Sequence, residues 1–178
     1  ISQVESKVNA LPTLCFDRAR AHARALMKKP MGERGLLAGL PVPIKDLNDV
    51  AGVRSTQGSP IYADRIAPTS DIMVTHLEKN GAIVYAMSNT PEFGAGANTF
   101  NEVFGRTLNP WNTARSAAGS SGGAAVALAT GTAWLAHGSD LGGSLRNPAS
   151  SCGVVGMRPS PGRVAASVHI KIASTLCI

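Results

Sequence analysis

Residues 116–148 constrain the fold of this chain more than any other part of its sequence. This stretch contains two loops of small residues, 119–123 and 142–144, and each loop carries serine. An apolar, alanine-rich segment separates the two loops. Because glycine leaves the backbone uncovered, each loop presents a serine hydroxyl beside amide N–H groups that a substrate can approach closely. Both loops are therefore candidate sites for chemistry at a carbonyl group.

Size and composition indicate a single α/β domain. With 178 residues, the chain is long enough to bury one substantial core. Aliphatic residues and alanine dominate, aromatic residues make up 4% of the chain, and 19 glycines and 11 prolines provide many turns. This composition is typical of a soluble α/β protein. We therefore expect one domain over residues 1–178.

Charge, cysteines and hydropathy narrow the classes of function. The formal net charge is +6, but basic residues cluster on one predicted helix without interleaved aromatic residues, which indicates a solvated face rather than a nucleic-acid site. The three cysteines form no metal-binding or disulfide pattern. The sequence has neither an apolar run long enough to span a membrane nor a signal-peptide pattern. We expect a cytoplasmic protein with no metal or organic cofactor.

Periodic apolar residues predict the first elements. Residues 13–29 have apolar side chains at three- and four-residue spacing, which predicts an amphipathic helix with Thr13 as its N-cap. Pro30 ends this helix. Residues 36–44 are apolar but include two prolines, which favours an edge strand or an irregular strand.

A helix followed by a strand is predicted next. Thr69 or Ser70 can cap the helix, and Asn80-Gly81 ends it. Four of its side chains are expected to face inward: Ile72, Met73, His76 and Leu77. Residues 82–87 then form a strand buried on both faces. This order is typical of a parallel or mixed sheet.

The second half of the chain is predicted to contain shorter helices and strands. Residues 90–93 combine a capping hydroxyl, a proline and an acidic residue, which predicts the start of a helix. Residues 122–129 predict a helix, and residues 134–137 predict a short strand. Another helix is expected to start at Ser144 and to be interrupted at Pro148.

Lys45 closes an apolar stretch and precedes several acidic residues. The simpler interpretation is a lysine at a strand end that forms a salt bridge with Asp46 or Asp49. The alternative is a lysine partly withdrawn from water, because burial favours the neutral amine. The local sequence leaves both interpretations open.

Ser121 fits the G-x-S-x-G pattern of α/β-hydrolase nucleophiles, with Asp140 and either His137 or His169 as partners. Such a nucleophile follows directly on a strand, whereas residues 112–118 are polar and rich in turn residues. A phosphate-binding loop is not indicated either, because no lysine follows the glycines. Ser121 is therefore expected to form hydrogen bonds within its loop.

The second loop suits acyl transfer better than the first. Consecutive N–H groups at a predicted helix start can stabilise an oxyanion. Four residues offer them: Leu141, Gly142, Gly143 and Ser144. Without a convincing histidine base, a serine nucleophile here needs another proton acceptor, and a lysine kept neutral by burial is such a group. Lys45 is the candidate for this role.

Three motifs carry a family resemblance. Residues 39–46 are GLPVPIKD, residues 119–123 are GSSGG, and residues 140–148 are DLGGSLRNP. Together they resemble the amidase signature family, and the resemblance extends from about Asn9 to Val164. It implies an α/β fold of the amidase-signature type, in which helices cover a mixed β-sheet. Because family members are usually much longer, this fold would be incomplete in the chain, which resembles a truncated N-terminal portion.

The resemblance also implies a Ser-cisSer-Lys triad that hydrolyses carboxylic amides. Carried over position by position, Ser144 is the nucleophile, Ser120 in a cis peptide bond is the proton bridge, and Lys45 is the base. An acyl-enzyme would form and would release an amine or ammonia, followed by a carboxylic acid. By family position, three residues adjoin the substrate: Glu92, Phe93 and Gly94.

The sequence departs from the family pattern at two places. Ala118 stands where the family commonly has another glycine, and residues 165–178 form a tail unlike the expected continuation. Within the tail, residues 167–172 alternate apolar and polar side chains, as in a strand that could cap an exposed sheet edge.

The expected binding partner is a small-molecule amide substrate, and neither a nucleic acid nor a membrane is expected. Association of the chain into a homo-oligomer is an open alternative. Two alternatives remain open. One is the glutaminase (A-type) subunit of a tRNA-dependent amidotransferase, and the other is a fragment whose triad is not assembled.

Overall fold

The computed structural model of the chain describes residues 1–165. In this part of the chain the helices and strands follow one another in this order: α1 (Glu5–Val8), β1 (Thr13–Leu14), α2 (Phe16–Met27), β2 (Pro41–Lys45), α3 (Ile72–Lys79), β3 (Ile83–Ser88), β4 (Phe100–Asn101), β5 (Gly105–Arg106), α4 (Gly122–Ala129) and α5 (Arg146–Cys152). Short 3₁₀ helices lie between them at Met31–Glu33, Pro60–Tyr62 and Glu92–Gly94.

A mixed sheet with strand order β1-β3-β2 forms the centre of the fold. β1 runs antiparallel to β3, and β2 runs parallel to β3. Every residue of β3 is buried. The register between β2 and β3 shifts between Val42 and Pro43, and Lys45 at the end of β2 lies opposite Ser88. The α/β fold class with a mixed sheet is confirmed.

Two apolar clusters hold helices against the sheet. The first joins α2 and α4 to β3 and has as members Ala19, Leu26, Tyr85, Ala86, Ala125 and Val126. The second joins α3 to β2 and β3 and has as members Val42, Ile44, Met73, Val74, Val84 and Met87. Since burial of apolar surface is the main favourable term in folding, these clusters fix the strand that carries Lys45.

The first predicted helix begins later than the sequence indicates. Thr13 and Leu14 pair with Met87 and Ala86 as a strand, and α2 starts at Phe16. Pairing satisfies backbone groups that a helix start would leave without partners, so tertiary contacts override the local capping signal.

The predicted helix before β3 is confirmed as α3, but its buried face differs from the expected one. Met73 and Val74 are buried, whereas Ile72 and His76 are exposed. The residue at its N-cap is Asp71, and the Ser70 hydroxyl accepts a hydrogen bond from the Ala51 N–H instead.

Two predictions for the second half of the chain are wrong. The helix expected from residue 90 is only the 3₁₀ helix Glu92–Gly94, because Phe93 has φ of 51°. Residues 134–137 form no strand, although the His137 N–H donates to the Pro43 carbonyl.

The two helices beside the serine loops agree better with the sequence. The helix over residues 122–129 is confirmed as α4. The last helix begins at Arg146 rather than at Ser144, and Pro148 lies within α5 instead of interrupting it. Proline is tolerated in the first turn of a helix, where N–H groups have no intrahelical acceptor.

Other predictions concern single residues and termini. None of the helices in residues 1–165 is long and apolar enough to cross a membrane. Cys15 and Cys152 are free thiols. The predicted strand 167–172, which contains His169, and the third cysteine, Cys177, lie outside the described residues.

Gly123 lets the start of α4 approach the end of β3. A Cβ atom at this position would lie 2.4 Å from the Asn89 nitrogen and 2.6 Å from the Ala10 carbonyl oxygen. Both neighbours are backbone atoms, which cannot move aside by rotating a side chain. Only glycine therefore allows the loop before α4 to sit at this end of the sheet.

We predict that Gly123→Ala lowers the free energy of unfolding by about 1–3 kcal/mol, because the added methyl overpacks this contact. Gly32→Ala is the matched control, since no atom lies within 4 Å of its Cβ position, and it should change stability by less than about 0.5 kcal/mol. Urea unfolding of both variants measures the difference. Equal midpoints for the two variants would contradict the packing argument.

Candidate active site

Lys45 is the central side chain of the site. It ends β2 and is fully buried. Its Nζ lies 2.6 Å from Ser120 Oγ, 3.0 Å from Ser121 Oγ and 2.9 Å from Ser139 Oγ. The lysine is thus surrounded by hydroxyl groups from the first serine loop and from the residue before Asp140.

The salt-bridge interpretation of Lys45 is wrong. The Asp46 carboxylate accepts hydrogen bonds from the N–H and the hydroxyl of Thr56. Asp49 forms its ion pair with Arg65. Because Asp46 and Asp49 have these other partners, the Lys45 amine forms its hydrogen bonds with serine hydroxyls.

Burial lowers the pKa of Lys45 from 10.5 to about 7. The physical cause is the loss of hydration of the ammonium, and the negative charge of Asp140 opposes the shift. A substantial fraction of this lysine is consequently a neutral amine near pH 7. A neutral amine can accept a proton, which an ordinary surface lysine cannot do at that pH.

Ser120 faces Lys45 from a loop held by backbone contacts. The Gly119–Ser120 peptide bond is cis, and the Ser120 side chain is buried. A Cβ on Gly119 would lie 2.9 Å from the Asn98 carbonyl carbon. The Thr99 hydroxyl donates to the Ala118 carbonyl on one side of the loop. These contacts place Ser120 within hydrogen-bond distance of the lysine.

The two serine loops meet through their backbones. The Ser121 N–H donates to the Ser144 carbonyl over 3.0 Å. Ser144 itself is partly exposed, unlike the buried Ser120 and Ser121. The structure thus brings the candidate nucleophile loop against the loop that contacts Lys45.

Asp140 organises the second loop. Its fully buried carboxylate accepts hydrogen bonds from the N–H groups of Gly143, Leu145 and Arg146, and from the Arg146 guanidinium. Burial alone would raise the pKa of Asp140, but the bonds from Arg146 and from the backbone hold it well below its usual range. Asp140 is therefore a carboxylate that fixes the loop and the start of α5.

The expected oxyanion donors need one correction. The Gly143 N–H already donates to Asp140 Oδ1 over 2.7 Å, so it is not free for a substrate. Within residues 1–165, no acceptor is seen for the N–H groups of Leu141, Gly142 and Ser144. Leu141 and Gly142 are also exposed. Three of the four expected donors thus remain open to a ligand.

The three predicted substrate neighbours contact other parts of the fold. Glu92 accepts a hydrogen bond from the Ser59 hydroxyl, the Phe93 ring lies edge-on to Tyr62, and Gly94 packs against Leu47.

Glu92 also lines a cavity of about 340 Å³ whose wall includes Asn98. Because Asn98 packs on Gly119, this cavity adjoins the cis-peptide loop.

Two further residues lie near Lys45: sequence reasoning missed Ser139, and it considered His137 only as a partner of Ser121. Ser139 directly precedes Asp140, and its place beside the conspicuous Asp140 was the available signal. His137 Nδ1 accepts a hydrogen bond from the Lys45 N–H. Burial, helped by the charge of Lys45, lowers the pKa of His137 to about 3. His137 is therefore a neutral acceptor that holds β2, and it is not bonded to Ser121 as a nucleophile elbow would require.

A comparison with known protein families identifies the chain. A family model described as Amidase matches residues 1–177. The chain belongs to the amidase family. The match runs beyond Val164, where the recognised sequence motifs end.

Curated relatives and solved structures agree with membership of the amidase family. The A-type subunit of the glutamyl-tRNA(Gln) amidotransferase of Koribacter versatilis is 43% identical over 180 residues, which cover 99% of this chain and 37% of that protein. The structure of 6-aminohexanoate cyclic dimer hydrolase superimposes with a TM-score of 0.86 at 34% identity, covering 94% of this chain and 34% of the other. A bacterial aryl acylamidase gives a TM-score of 0.85 at 36% identity, covering 94% and 35%. This amidase chain thus spans about 37% of the length of the curated relatives it matches.

We predict that Lys45→Met changes how stability depends on pH. The folded-state pKa of about 7 lies below the value of 10.5 for an exposed lysine. The cost of burying the charge is therefore complete below pH 7, and it falls as the pH rises toward 10.5. Relative to Lys45→Met, the free energy of unfolding of the wild type should increase by about 2–4 kcal/mol between pH 7 and pH 10.

Urea unfolding of both proteins across this pH range measures the difference, because all other groups titrate in both. A difference that stays constant with pH would show that Lys45 is not desolvated.

Proposed function

We propose that the protein hydrolyses the C–N bond of a carboxylic amide through an acyl-enzyme on Ser144. The observation that carries this proposal is the buried Lys45 amine within 2.6 Å of Ser120 Oγ, on a loop bonded to the backbone of Ser144. A lysine with a pKa of about 7 is suited to act as a general base near neutral pH. Membership of the amidase family supports the same reaction class.

In the first half of the proposed reaction, protons move through the serines to the lysine. The Lys45 amine takes the proton of Ser120, and Ser120 takes the proton of Ser144. The Ser144 oxygen then forms a bond to the amide carbon, and the carbonyl electrons move to its oxygen. When the tetrahedral intermediate collapses, the C–N bond breaks and the proton returns through Ser120 to the leaving nitrogen. The products are an acyl-Ser144 ester and an amine or ammonia.

Water completes the cycle by the same relay. A water molecule gives a proton to Ser120 and Lys45, while its oxygen bonds to the acyl carbon. The ester bond to Ser144 breaks, the serine recovers a proton, and a carboxylic acid leaves. None of these steps requires a metal or an organic cofactor.

The oxyanion is assigned to the N–H groups of Leu141, Gly142 and Ser144. The Gly143 N–H is withdrawn from this group, because it holds the loop through Asp140. A preorganised donor of this kind contributes about 3–4 kcal/mol to transition-state stabilisation in a serine hydrolase. Glu92, Phe93 and Gly94 remain proposed substrate neighbours by family position, and the cavity beside Glu92 supports that assignment for one of them.

Ser144→Ala and Lys45→Ala should each lower kcat/KM for an amide by on the order of 10⁴-fold or more, because the nucleophile or the base is lost. Ser144→Ala should also abolish labelling by a serine-directed fluorophosphonate probe. Ser150→Ala is the matched control, since Ser150 is an exposed serine on α5, and it should be labelled at the wild-type rate. Burst acylation retained by purified Ser144→Ala would refute the assignment.

A second candidate function uses the same site on a different substrate. The relatives that are A-type amidotransferase subunits are 40–43% identical to the chain, which favours a glutaminase (A-type) subunit of a tRNA-dependent amidotransferase. In that case the amide is glutamine, and the ammonia passes to a partner protein. The sequence also left open a fragment without an assembled triad; the contact between Lys45 and Ser120 joins two members of the triad, and labelling of Ser144 by the fluorophosphonate probe tests the third.

Substrate dependence separates the two functions. We expect the purified protein alone to release amine from simple aryl amides, at a rate that neither partner proteins nor tRNA change. Mass spectrometry of the acyl-enzyme and an assay of released amine measure this. Activity confined to glutamine and dependent on partner proteins would instead establish the amidotransferase function.

The partners and location expected from the sequence stay predictions. We propose a small-molecule amide substrate, a cytoplasmic location and self-association as a homo-oligomer. Exposed apolar side chains around a groove of about 420 Å³ support self-association. Three of them are Trp134, Val155 and Met157, which are 83%, 91% and 70% exposed.

A further inference from the structure

We propose that Ser121 and Ser139 are positioning residues that accept the two N–H bonds of neutral Lys45 and thereby direct its lone pair at Ser120. This inference rests on the proposed function, because it concerns the base of that reaction. It assigns a role to Ser139, a residue that neither the motifs nor the implied triad includes.

The hydrogen bonds of Ser121 show that its hydroxyl is an acceptor for the Lys45 amine. Its Oγ donates to the Ser139 carbonyl over 3.1 Å and accepts the Ser139 N–H over 3.1 Å. A hydroxyl has a single proton to donate. Since that proton is used, Ser121 can only accept from Lys45 Nζ at 3.0 Å.

The distances from Lys45 Nζ to Ser139 and to Ser120 indicate which hydroxyl accepts an N–H and which faces the lone pair. N–H groups donate to oxygen over about 2.7–3.2 Å. The 2.9 Å between Lys45 Nζ and Ser139 Oγ fits an N–H donor. Ser120 Oγ is the closest of the three hydroxyls to Nζ, at 2.6 Å, and we assign the lone pair to this contact. Ser139 is thus the second acceptor, and Ser120 donates to the lone pair.

Proton counting shows why this arrangement matters. A neutral amine has two N–H bonds and one lone pair. If Ser139 did not accept, the second N–H would turn to Ser120, and the lone pair would face away from the relay. Ser120 could then no longer give its proton to Lys45. Ser139 therefore selects the productive orientation of the amine.

Within residues 1–165, neither water nor a titratable side chain replaces the three serine hydroxyls as hydrogen-bond partners of the Lys45 amine. Ser120 and Ser121 are 2% exposed and Ser139 is 6% exposed, which leaves little room for water to replace them. The titratable groups around Lys45 are His137, Asp140 and Asp46. The His137 ring accepts from the Lys45 backbone N–H and not from Nζ. The Asp140 carboxylate bonds its own loop, and the Asp46 carboxylate bonds Thr56.

The test compares Ser139→Ala, Ser139→Cys and Ser139→Thr in the complete polypeptide. Each variant is reacted with a fluorophosphonate probe over a range of pH and probe concentrations. The measured quantities are the maximal labelling rate, the half-saturating probe concentration and the pH midpoint of labelling. Ser55→Ala is the matched control, because Ser55 is also buried and, within residues 1–165, its hydroxyl shows a hydrogen bond to the Val53 carbonyl alone, over 3.5 Å.

For Ser139→Ala we expect the maximal labelling rate to fall about 10- to 100-fold, as for loss of a hydrogen bond to a charged or reacting group. The half-saturating concentration should stay within about twofold, because Ser139 is buried behind the lysine. The pH midpoint should move to lower pH, since the ammonium loses an acceptor that its three N–H bonds need.

Ser139→Cys keeps the volume but accepts hydrogen bonds weakly, so it should also be slow, whereas Ser139→Thr should restore the rate. If Ser139→Ala does not fold, the labelling rates of Ser139→Cys and Ser139→Thr are compared instead. Wild-type rates and midpoints in Ser139→Ala or Ser139→Cys would overturn this inference alone. A wild-type protein that the probe does not label at Ser144 would overturn the proposed function and this inference together.

Discussion

The burial of the Lys45 amine among hydroxyl groups is the interaction on which the rest of the structure depends. Burial without an adjacent carboxylate partner makes the charged form costly and lowers the pKa to about 7. Within residues 1–165 none of the nearby acids forms an ion pair with Lys45, because Asp46 bonds Thr56, Asp49 pairs with Arg65 and Asp140 pairs with Arg146. The charge of Asp140 opposes the shift but does not cancel it. The fold therefore holds an amine that is partly neutral near pH 7, where an ordinary lysine is an ammonium.

Several separate contacts converge on that lysine. The parallel pair of β2 and β3 fixes its backbone, and His137 bonds its N–H. The close approach at Gly123 sets the loop before α4, and Asp140 sets the loop before α5. The bond from the Ser121 N–H to the Ser144 carbonyl links the two loops. Since each contact uses a different element, the site depends on the whole described fold rather than on one motif.

Sequence reasoning reached the parts of the molecule that local chemistry specifies. Helix α3 follows from apolar periodicity, β3 and α4 follow from continuous apolar runs, and the serine loops follow from their glycines. Sequence reasoning failed where a contact with another segment of the chain determines the local structure. Thr13 looks like a helix cap until β3 is present to pair with it, and Gly143 looks like a free donor until Asp140 takes its N–H. Ser139 carries no motif of its own, so only the folded chain shows that it contacts Lys45.

The central claim is that Lys45 is a neutral base near pH 7, and titration of this one side chain tests it most directly. NMR of protein labelled with ¹³C at lysine Cε, with Lys45→Met to assign the signal, gives the pKa without any substrate. The account predicts a midpoint of about 7, well below the ordinary lysine value of 10.5. A Lys45 signal that titrates near 10.5 would contradict it.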